Sequence, residues 1–131
     1  MIISRDTKYS QLISDTMTSL GHATNAQLLS ELQKVFPTLS ATTVHRTTSR
    51  LVSRGFLAEA PPDLRGAMRF DSNLTSHDHF LCQSCGGIRD LDVASKITPL
   101  ISGALGGCKI TGRLVIHGSC ETCIIKQKEK V

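Results

Sequence analysis

The sequence has few large aromatic side chains and no tryptophan. Aromatic residues make up 4% of its 131 residues, with one tyrosine and four phenylalanines. At this length the surface-to-volume ratio leaves a modest core, which bound metal or dimerisation can reinforce. Hydrophobic residues still account for 40% of the chain and charged residues for 20%. This composition is typical of globular proteins and argues against intrinsic disorder.

Membrane and export signals are also missing. No apolar stretch approaches the roughly 20 residues that a membrane-spanning helix needs. The first ten residues, MIISRDTKYS, lack a basic region followed by an apolar segment and a small-residue cleavage site. We therefore expect a cytoplasmic protein with no membrane partner.

No set of residues supplies a nucleophile together with a general base. A zinc- or iron-dependent enzyme would account for the histidines and aspartates described below, but no such set surrounds them. We therefore expect that the protein is not an enzyme. Its net charge of +4 suits an anionic partner and by itself establishes none.

Four of the five cysteines form two C-x-x-C pairs. Cys82 and Cys85 make the first pair, Cys120 and Cys123 the second, with residues 86–119 between them. In a reducing compartment such pairs indicate metal binding before disulfides, and four thiolates fill a tetrahedral, structural zinc site. A redox dithiol is less favoured because it needs a single pair in a βαβ unit. Cys108 stands alone, and we expect it to be a buried, small apolar residue.

Two histidines precede the first cysteine pair. His77 and His79 lie at the start of a predicted strand, so their imidazoles share one face while Asp78 points to the other. Two imidazoles on one face favour a second metal site. Further ligands can be suggested by residue type alone, namely His22, Asp71 and Asp90. Spacing does not assemble these five, and each of the three also fits an ordinary role as a surface, turn or strand residue.

The first half of the chain predicts three helices and a hairpin. Apolar spacing indicates helices over residues 6–20 and 24–36, and Ser40 and Gly55 can begin and end a third. The segments FLAEA and AMRFD flank the turn PPDLRG. Three helices followed by a β-hairpin are typical of a winged helix-turn-helix domain, whose third helix enters the DNA major groove.

The third predicted helix has one polar face. Arg46, Arg50 and Arg54 recur at every fourth residue with no acid between them, and like charges at this spacing repel by a few tenths of a kcal/mol. A polyanion would relieve this repulsion, whereas a solvated face is the plainer interpretation. With the hairpin behind the helix we favour DNA. The predicted DNA-binding residues are Thr42, Thr43, His45, Arg46, Ser49 and Arg50.

The second half has a different pattern. DHFLC and GIRDLD indicate two strands, VASKITPLISGAL a helix, and CKITGRLVIH a strand pair or one bent strand before GSCETC. The sequence thus predicts an α+β protein with a winged-helix domain at 1–73 and a small α/β domain at 74–131.

The order of these motifs resembles the ferric uptake regulator (Fur) family of bacterial metal-dependent repressors. The resemblance runs from about residue 20 to residue 124 and rests on ATTVHRTTSRLVSRGF, RFD, TSHDHFLCQSCGGIRDL and GSCETC. Because it has aspartate in RFD, the sequence resembles the peroxide-sensing (PerR) branch more than the iron- or zinc-sensing branches of that family.

This resemblance implies a regulatory metal site, a homodimer and operator DNA as the partner. The implied ligands are His22, Asp71, His77, His79 and Asp90 for Fe(II) or Mn(II), with the four paired cysteines on structural zinc. Mixed nitrogen and oxygen ligands suit Fe(II) or Mn(II). It also implies release from DNA when peroxide oxidises His22 or His77. The alternatives are a repressor that senses iron or manganese levels without peroxide chemistry, and a metal-independent winged-helix protein with structural zinc.

Overall fold

The computed structural model describes the backbone of residues 5–129 and the side chains of residues 9–129. The chain divides into two compact units, Met1–Leu74 and Thr75–Val131. Across the described residues it is an α+β protein with five helices and two three-stranded sheets. Within this range no helix has both the length and the apolar character needed to span a bilayer.

The first unit contains three helices and three short strands. In chain order they are α1 (Arg5–Leu20), β1 (His22–Thr24), α2 (Asn25–Gln33), α3 (Ala41–Ser53), β2 (Ala58–Ala60) and β3 (Arg69–Asp71). The strands form an antiparallel sheet in the order β1-β3-β2. The hairpin of β2 and β3 therefore follows the third helix. β1 pairs with the edge of β3 that faces away from β2.

Local capping explains where α2 and α3 begin. Thr24 and Gln27 form a reciprocal capping box at the start of α2. Ser40 caps α3 by accepting a hydrogen bond from the backbone N–H of Thr43 at 3.2 Å. Gly55 follows α3 with φ of 78°, a left-handed conformation in which glycine carries no steric penalty.

The apolar faces of the three helices meet in one core. Val44, Thr48 and Leu51 of α3 are buried. The residues of the buried cluster are Ile13, Met17, Ala23, Leu28, Leu32, Leu39, Val44, Leu51, Leu57 and Phe70. Because both helices and sheet contribute, the core fixes α3 against the hairpin and leaves the polar face of α3 outside.

The second unit is built on a central strand. Its elements are β4 (Asp78–Cys82), β5 (Ile88–Leu91), α4 (Ala94–Ile101), β6 (Val115–Gly118) and α5 (Glu121–Glu129). The sheet order is β5-β4-β6, with β4 antiparallel to β5 and parallel to β6. One short strand therefore carries hydrogen bonds on both of its edges.

Several elements differ from the sequence-based expectations. β1 and α5 were not predicted, because HAT is too short to show a period and no residue of α5 is buried. β6, Val115–Gly118, begins within CKITGRLVIH and ends one residue beyond it, so this segment forms neither the strand pair nor the single bent strand expected for it. α2 ends at Gln33 rather than at residue 36. Cys108 is exposed rather than buried.

Apolar burial is sparse in the described part of the second unit. The buried hydrophobic residues there are Leu81 and Cys82, and α4, β6 and α5 bury none. Several large apolar side chains are exposed instead, namely Leu100, Val115, Ile116, Ile124 and Ile125. A unit of this size with so little buried apolar area needs another source of stability, such as a metal ion or a partner surface.

One buried hydrogen bond joins α3 to the start of α2, and it gives a test of the core. The hydroxyl of Thr48, which is fully buried, donates to Asn25 Oδ1 at 2.7 Å. We expect Thr48→Val to lower the free energy of unfolding by about 1–2 kcal/mol, because Asn25 loses a buried donor. Urea unfolding followed by circular dichroism measures the change.

Thr47→Val is the matched control. Thr47 is also buried, but its hydroxyl donates to the Thr43 carbonyl within the same helix, so its loss leaves no inter-helix acceptor unsatisfied. Equal losses in the two variants would contradict a special role for the Asn25–Thr48 bond.

Candidate metal centres

The four paired cysteines lie together in the second unit. Cys82 ends β4, Cys85 is in the following turn, Cys120 precedes α5 and Cys123 is in its first turn. Sγ of Cys82 lies 3.7 Å from Sγ of Cys123, and Sγ of Cys85 lies 3.8 Å from Sγ of Cys120. Four sulfurs placed about 2.3 Å from a tetrahedral zinc ion are about 3.8 Å apart. The spacing of the sulfurs therefore fits zinc.

Backbone N–H groups point at these sulfurs. The amides of Cys85 and Cys120 each donate to Cys82 Sγ at 3.4 Å, and Gly87 donates to Cys85 Sγ at 3.4 Å. A Cβ on Gly87 would lie 3.3 Å from that sulfur, so the turn has little room for a side chain. Gly86 has φ of 78°. The two glycines let the backbone wrap the first pair closely enough to stabilise thiolates.

The pKa values of the thiols follow from these contacts. The N–H of Cys85, followed by that of Cys120, lowers the pKa of Cys82 to about 5. The backbone of Cys123 lowers the pKa of Cys120. The hydrogen bond with the Cys120 side chain raises the pKa of Cys123 to about 12. A bound cation would favour the thiolate form of these sulfurs by offsetting their mutual repulsion.

A second set of ligand-type side chains lies at the other end of β4. His77 precedes the strand, His79 is within it, and Asp90 is opposite His79 on β5. Asp90 Oδ1 lies 3.0 Å from His77 Nε2 and 3.5 Å from His79 Nε2. The imidazole centroids are 4.5 Å apart, and both rings are buried. The two nitrogens and the carboxylate oxygen converge on one point, as ligands of one ion do.

The orientation of His77 is set by the backbone. Its Nδ1 lies 2.6 Å from the carbonyl oxygen of Thr75. Because a carbonyl only accepts, Nδ1 carries the proton and Nε2 keeps its lone pair on the side of Asp90. Metal-binding histidines commonly use such a second hydrogen bond to fix the ring. The mixed nitrogen and oxygen set suits Fe(II) or Mn(II) better than the sulfur cage does.

A separate pair lies in the first unit. β1 and β3 pair so that His22 is opposite Asp71, and His22 Nε2 lies 3.2 Å from Asp71 Oδ2. Asp71 is 1% exposed, and its Oδ1 accepts a hydrogen bond from the N–H of Asn73 at 2.9 Å. The unpredicted strand β1 thus brings together two residues that sequence spacing could not join.

Asp78 is a buried residue to which the sequence assigned no function. Three backbone N–H groups donate to its carboxylate, those of Val93, Ala94 and Leu114. These bonds, with Leu114 contributing most, hold the pKa of Asp78 below its ordinary value although burial opposes this. Because Asp78 alternates with His77 and His79 along the strand, the sequence predicted that its side chain lies on the opposite face. The three N–H groups that donate to it come from distant segments and are identified only by the fold.

The six predicted DNA-binding residues lie on or beside the outer face of α3. Thr42, His45, Arg46 and Ser49 are exposed, while Thr43 and Arg50 are half-buried. The hydroxyl of Thr43 lies 2.9 Å from that of Ser40. Thr43 therefore takes part in the cap of α3 and is less available to a partner than its neighbours.

Removing one sulfur tests the zinc cage. We expect Cys120→Ser to lose zinc and to unfold the second unit, because structural zinc binding is coupled to folding by on the order of 10 kcal/mol. Metal analysis together with limited proteolysis measures both effects. Cys108→Ser is the control, since Cys108 is an exposed cysteine outside the cage. Full zinc content in Cys120→Ser would contradict a four-sulfur site.

The sequence is similar to those of known regulatory proteins. The ferric uptake regulator family matches residues 4–106. A peroxide operon regulator from Bacillus subtilis (strain 168) is 28% identical over 115 residues, covering 83% of this chain and 76% of that protein. A ferric uptake regulation protein from Campylobacter upsaliensis is 29% identical over 115 residues, covering 84% and 73%.

The fold is also shared with a solved structure. The ferric uptake regulator of Francisella tularensis, solved with iron, superimposes with a TM-score of 0.72 at 19% identity and covers 95% of each chain. Since the family match spans well over half of the sequence, the chain belongs to the ferric uptake regulator family of metal-responsive transcriptional regulators.

Proposed function

We propose that this chain is a homodimeric, metal-dependent repressor that binds operator DNA and is not an enzyme. The observation that carries the proposal is the pair of chemically distinct ligand sets on β4. Cys82 at one end belongs to an all-sulfur cage, and His79 near the other belongs to a nitrogen and oxygen cluster. A structural ion and a regulatory ion need this difference in ligand type.

The proposed DNA-binding domain is residues 1–73, read as a winged helix-turn-helix. Three helices precede the β2–β3 hairpin, and α3 is amphipathic with its apolar side in the core. Its outer face carries His45 and Arg46, both exposed. In such domains the third helix enters the major groove, and arginines supply contacts to bases and phosphates.

The proposed metal-binding and dimerisation domain is residues 74–131. Structural zinc is held by Cys82, Cys85, Cys120 and Cys123, whose sulfur spacing fits a tetrahedral ion. β6 lies at an edge of its sheet with Val115 and Ile116 exposed, and α5 exposes Ile124 and Ile125. Apolar side chains on an edge strand and a neighbouring helix suit burial against a second copy.

The proposed regulatory ion is Fe(II) or Mn(II), held by His77, His79 and Asp90 together with His22 and Asp71. Neither set alone fills a coordination shell, since one offers three ligands and the other two. An ion that binds both sets stabilises the arrangement of the two domains in which they meet. Metal binding thereby shifts the population toward a form that presents two α3 helices to DNA.

We further propose that peroxide is the signal, with iron-level or manganese-level sensing as the alternative. The two relatives have near-equal identity, and one is named for peroxide and the other for iron. The aspartate in RFD, Asp71, favours the peroxide interpretation through the resemblance stated above. Fe(II) held by these nitrogen and oxygen ligands would supply the reactivity toward peroxide. His22 or His77 would take one oxygen atom from the peroxide while the other leaves as water, and the modified site would release the metal.

The contribution of α3 is tested by Arg46→Ala. The operator is first selected from random DNA duplexes with the unaltered, Mn(II)-loaded protein. We expect Arg46→Ala to bind this operator more weakly, because a positive charge facing DNA is lost. The slope of log affinity against log salt should also fall by about one unit. Lys96→Ala, an exposed charge on α4, is the matched control. Unchanged affinity and slope in Arg46→Ala would place DNA elsewhere.

The regulatory site is tested by His22→Ala and His77→Ala. We expect both variants to keep zinc and to lose Mn(II)-activated DNA binding, because each removes one ligand of the shared ion. Fluorescence anisotropy with and without Mn(II), paired with zinc analysis, measures this. His117→Ala, which removes an exposed imidazole from β6, should respond to Mn(II) normally. DNA binding that ignores Mn(II) in the unaltered protein would support the metal-independent alternative.

The same preparation decides the signal. The Fe(II)-loaded, DNA-bound protein is exposed briefly to peroxide. Mass spectrometry of its peptides then detects one added oxygen atom at His22 or His77. We expect release from DNA together with this modification in the Fe(II) form and neither in the Mn(II) form. Continued DNA binding with both histidines unmodified would leave metal-level sensing as the function.

A further inference from the structure

Asp78 lies between the two histidines of the cluster and is 3% exposed. Its Oδ2 accepts hydrogen bonds from the N–H groups of Val93 at 3.0 Å and Ala94 at 2.8 Å. Its Oδ1 accepts one from Leu114 at 2.9 Å. One carboxylate on β4 therefore joins the start of α4 and the residue before β6.

These bonds replace features that the neighbouring segments lack. Val93, at the N-cap position of α4, makes no side-chain capping bond, and the first turn of α4 has no acidic residue. Asp78, on strand β4, supplies the missing cap. Its carboxylate accepts hydrogen bonds from two of the N–H groups that a helix leaves unsatisfied at its start. The N–H of His79 donates to the Leu114 carbonyl at 3.0 Å, so Leu114 is held on both sides where β6 begins.

The same geometry disfavours Asp78 as a ligand. Strand alternation places its side chain on the face opposite His77 and His79. A carboxylate has about four lone-pair sites, and three of them already accept hydrogen bonds. The three N–H groups present their positive ends to this carboxylate, and a cation placed there would be repelled by them.

The contacts of Asp78 lead directly to the histidine cluster. Its backbone pairs with Leu91 at the end of β5, one residue beyond Asp90. The hydrogen bond from the N–H of Val93 to its carboxylate fixes the chain just after that strand. Asp90 is thereby held opposite His79. The register that places Asp90 Oδ1 against both imidazoles depends on this end of the sheet staying closed.

We propose that Asp78 is a positioning residue that clamps Val93, Ala94 and Leu114 and so holds His77, His79 and Asp90 in register for the regulatory ion without binding the ion. This inference rests on the proposed function of that cluster. In this arrangement the carboxylate of Asp78 maintains the fold of the site, and the imidazoles of His77 and His79 bind the metal.

The first experiment compares Asp78→Asn with Asp90→Asn in zinc-loaded protein. An asparagine amide turns its NH₂ toward at least one of the clamped N–H groups, so hydrogen exchange at Val93, Ala94 or Leu114 should speed up. We expect Mn(II) affinity to fall by about 10- to 100-fold, the range seen when residues that orient ligands are removed. Asp92→Asn, the same change at an exposed site, should alter neither readout.

A spectroscopic readout separates a positioning residue from a ligand. At saturation with Co(II), Asp78→Asn should give the d–d absorption of the unaltered protein because the ligand atoms are the same. Asp90→Asn should change that spectrum while its exchange at Val93, Ala94 and Leu114 stays slow. A changed spectrum in Asp78→Asn would make Asp78 a ligand and overturn the inference. Normal Mn(II) affinity in Asp78→Asn would overturn it as well, since the clamp would then serve only the fold.

A second measurement needs no variant and decides the question if Asp78→Asn fails to retain zinc. In the unaltered zinc-loaded protein, the peptides containing Val93–Ala94 and Leu114 should be protected from exchange before and after Mn(II) is added. A carboxylate that moved to the ion would release these N–H groups, and faster exchange with Mn(II) would contradict the proposal. If the unaltered protein bound neither Mn(II) nor Co(II), the proposed function itself would fail, an outcome distinct from any change confined to Asp78→Asn.

Discussion

The hydrogen-bonded register of β4 is the constraint on which the second unit depends. This strand pairs with β5 on one edge and β6 on the other. Its first residues place His79 opposite Asp90, and its last residue is Cys82, whose sulfur accepts N–H bonds from both halves of the cysteine cage. A slip of one residue would turn every side chain to the opposite face. Both ligand sets therefore exist only in this one register.

In the second unit, polar and metal-binding groups hold the elements together, whereas apolar packing does so in the first unit. The first unit closes on a contiguous apolar cluster from its helices and sheet. The second unit buries Leu81 and Cys82 beside two histidines and Asp78. Burying such groups is costly unless each is hydrogen-bonded or bound to metal. The backbone bonds to Asp78, the bond from His77 to Thr75 and the four converging sulfurs meet that requirement. A metal ion bound by the four sulfurs would therefore stabilise this unit.

The sequence predicted the strongly patterned parts of the chain. The capping box at Thr24, the amphipathic third helix and the C-x-x-C pairs each carry a signal within a few residues, and the structure has the corresponding elements. Family membership was also predicted, and the family match over residues 4–106 confirms it. β1 was missed because three residues show no period, and α5 because its apolar residues Ile124 and Ile125 are adjacent and do not repeat at helical spacing. Cys108 was misplaced, since a lone cysteine carries no positional signal.

Residue type and short-range spacing were enough to determine which side chains could bind metal. Cysteines three positions apart and histidines on alternate strand positions can bind metal in whatever fold the chain adopts. Only the tertiary structure decided which distant groups meet. The antiparallel pairing of β1 with β3 brings His22 to Asp71, although 48 residues lie between them at positions 23–70. The parallel pairing of β4 with β6 brings Leu114 to Asp78. Such pairings depend on backbone hydrogen bonds and packing that sum over the whole chain, and no local pattern records them.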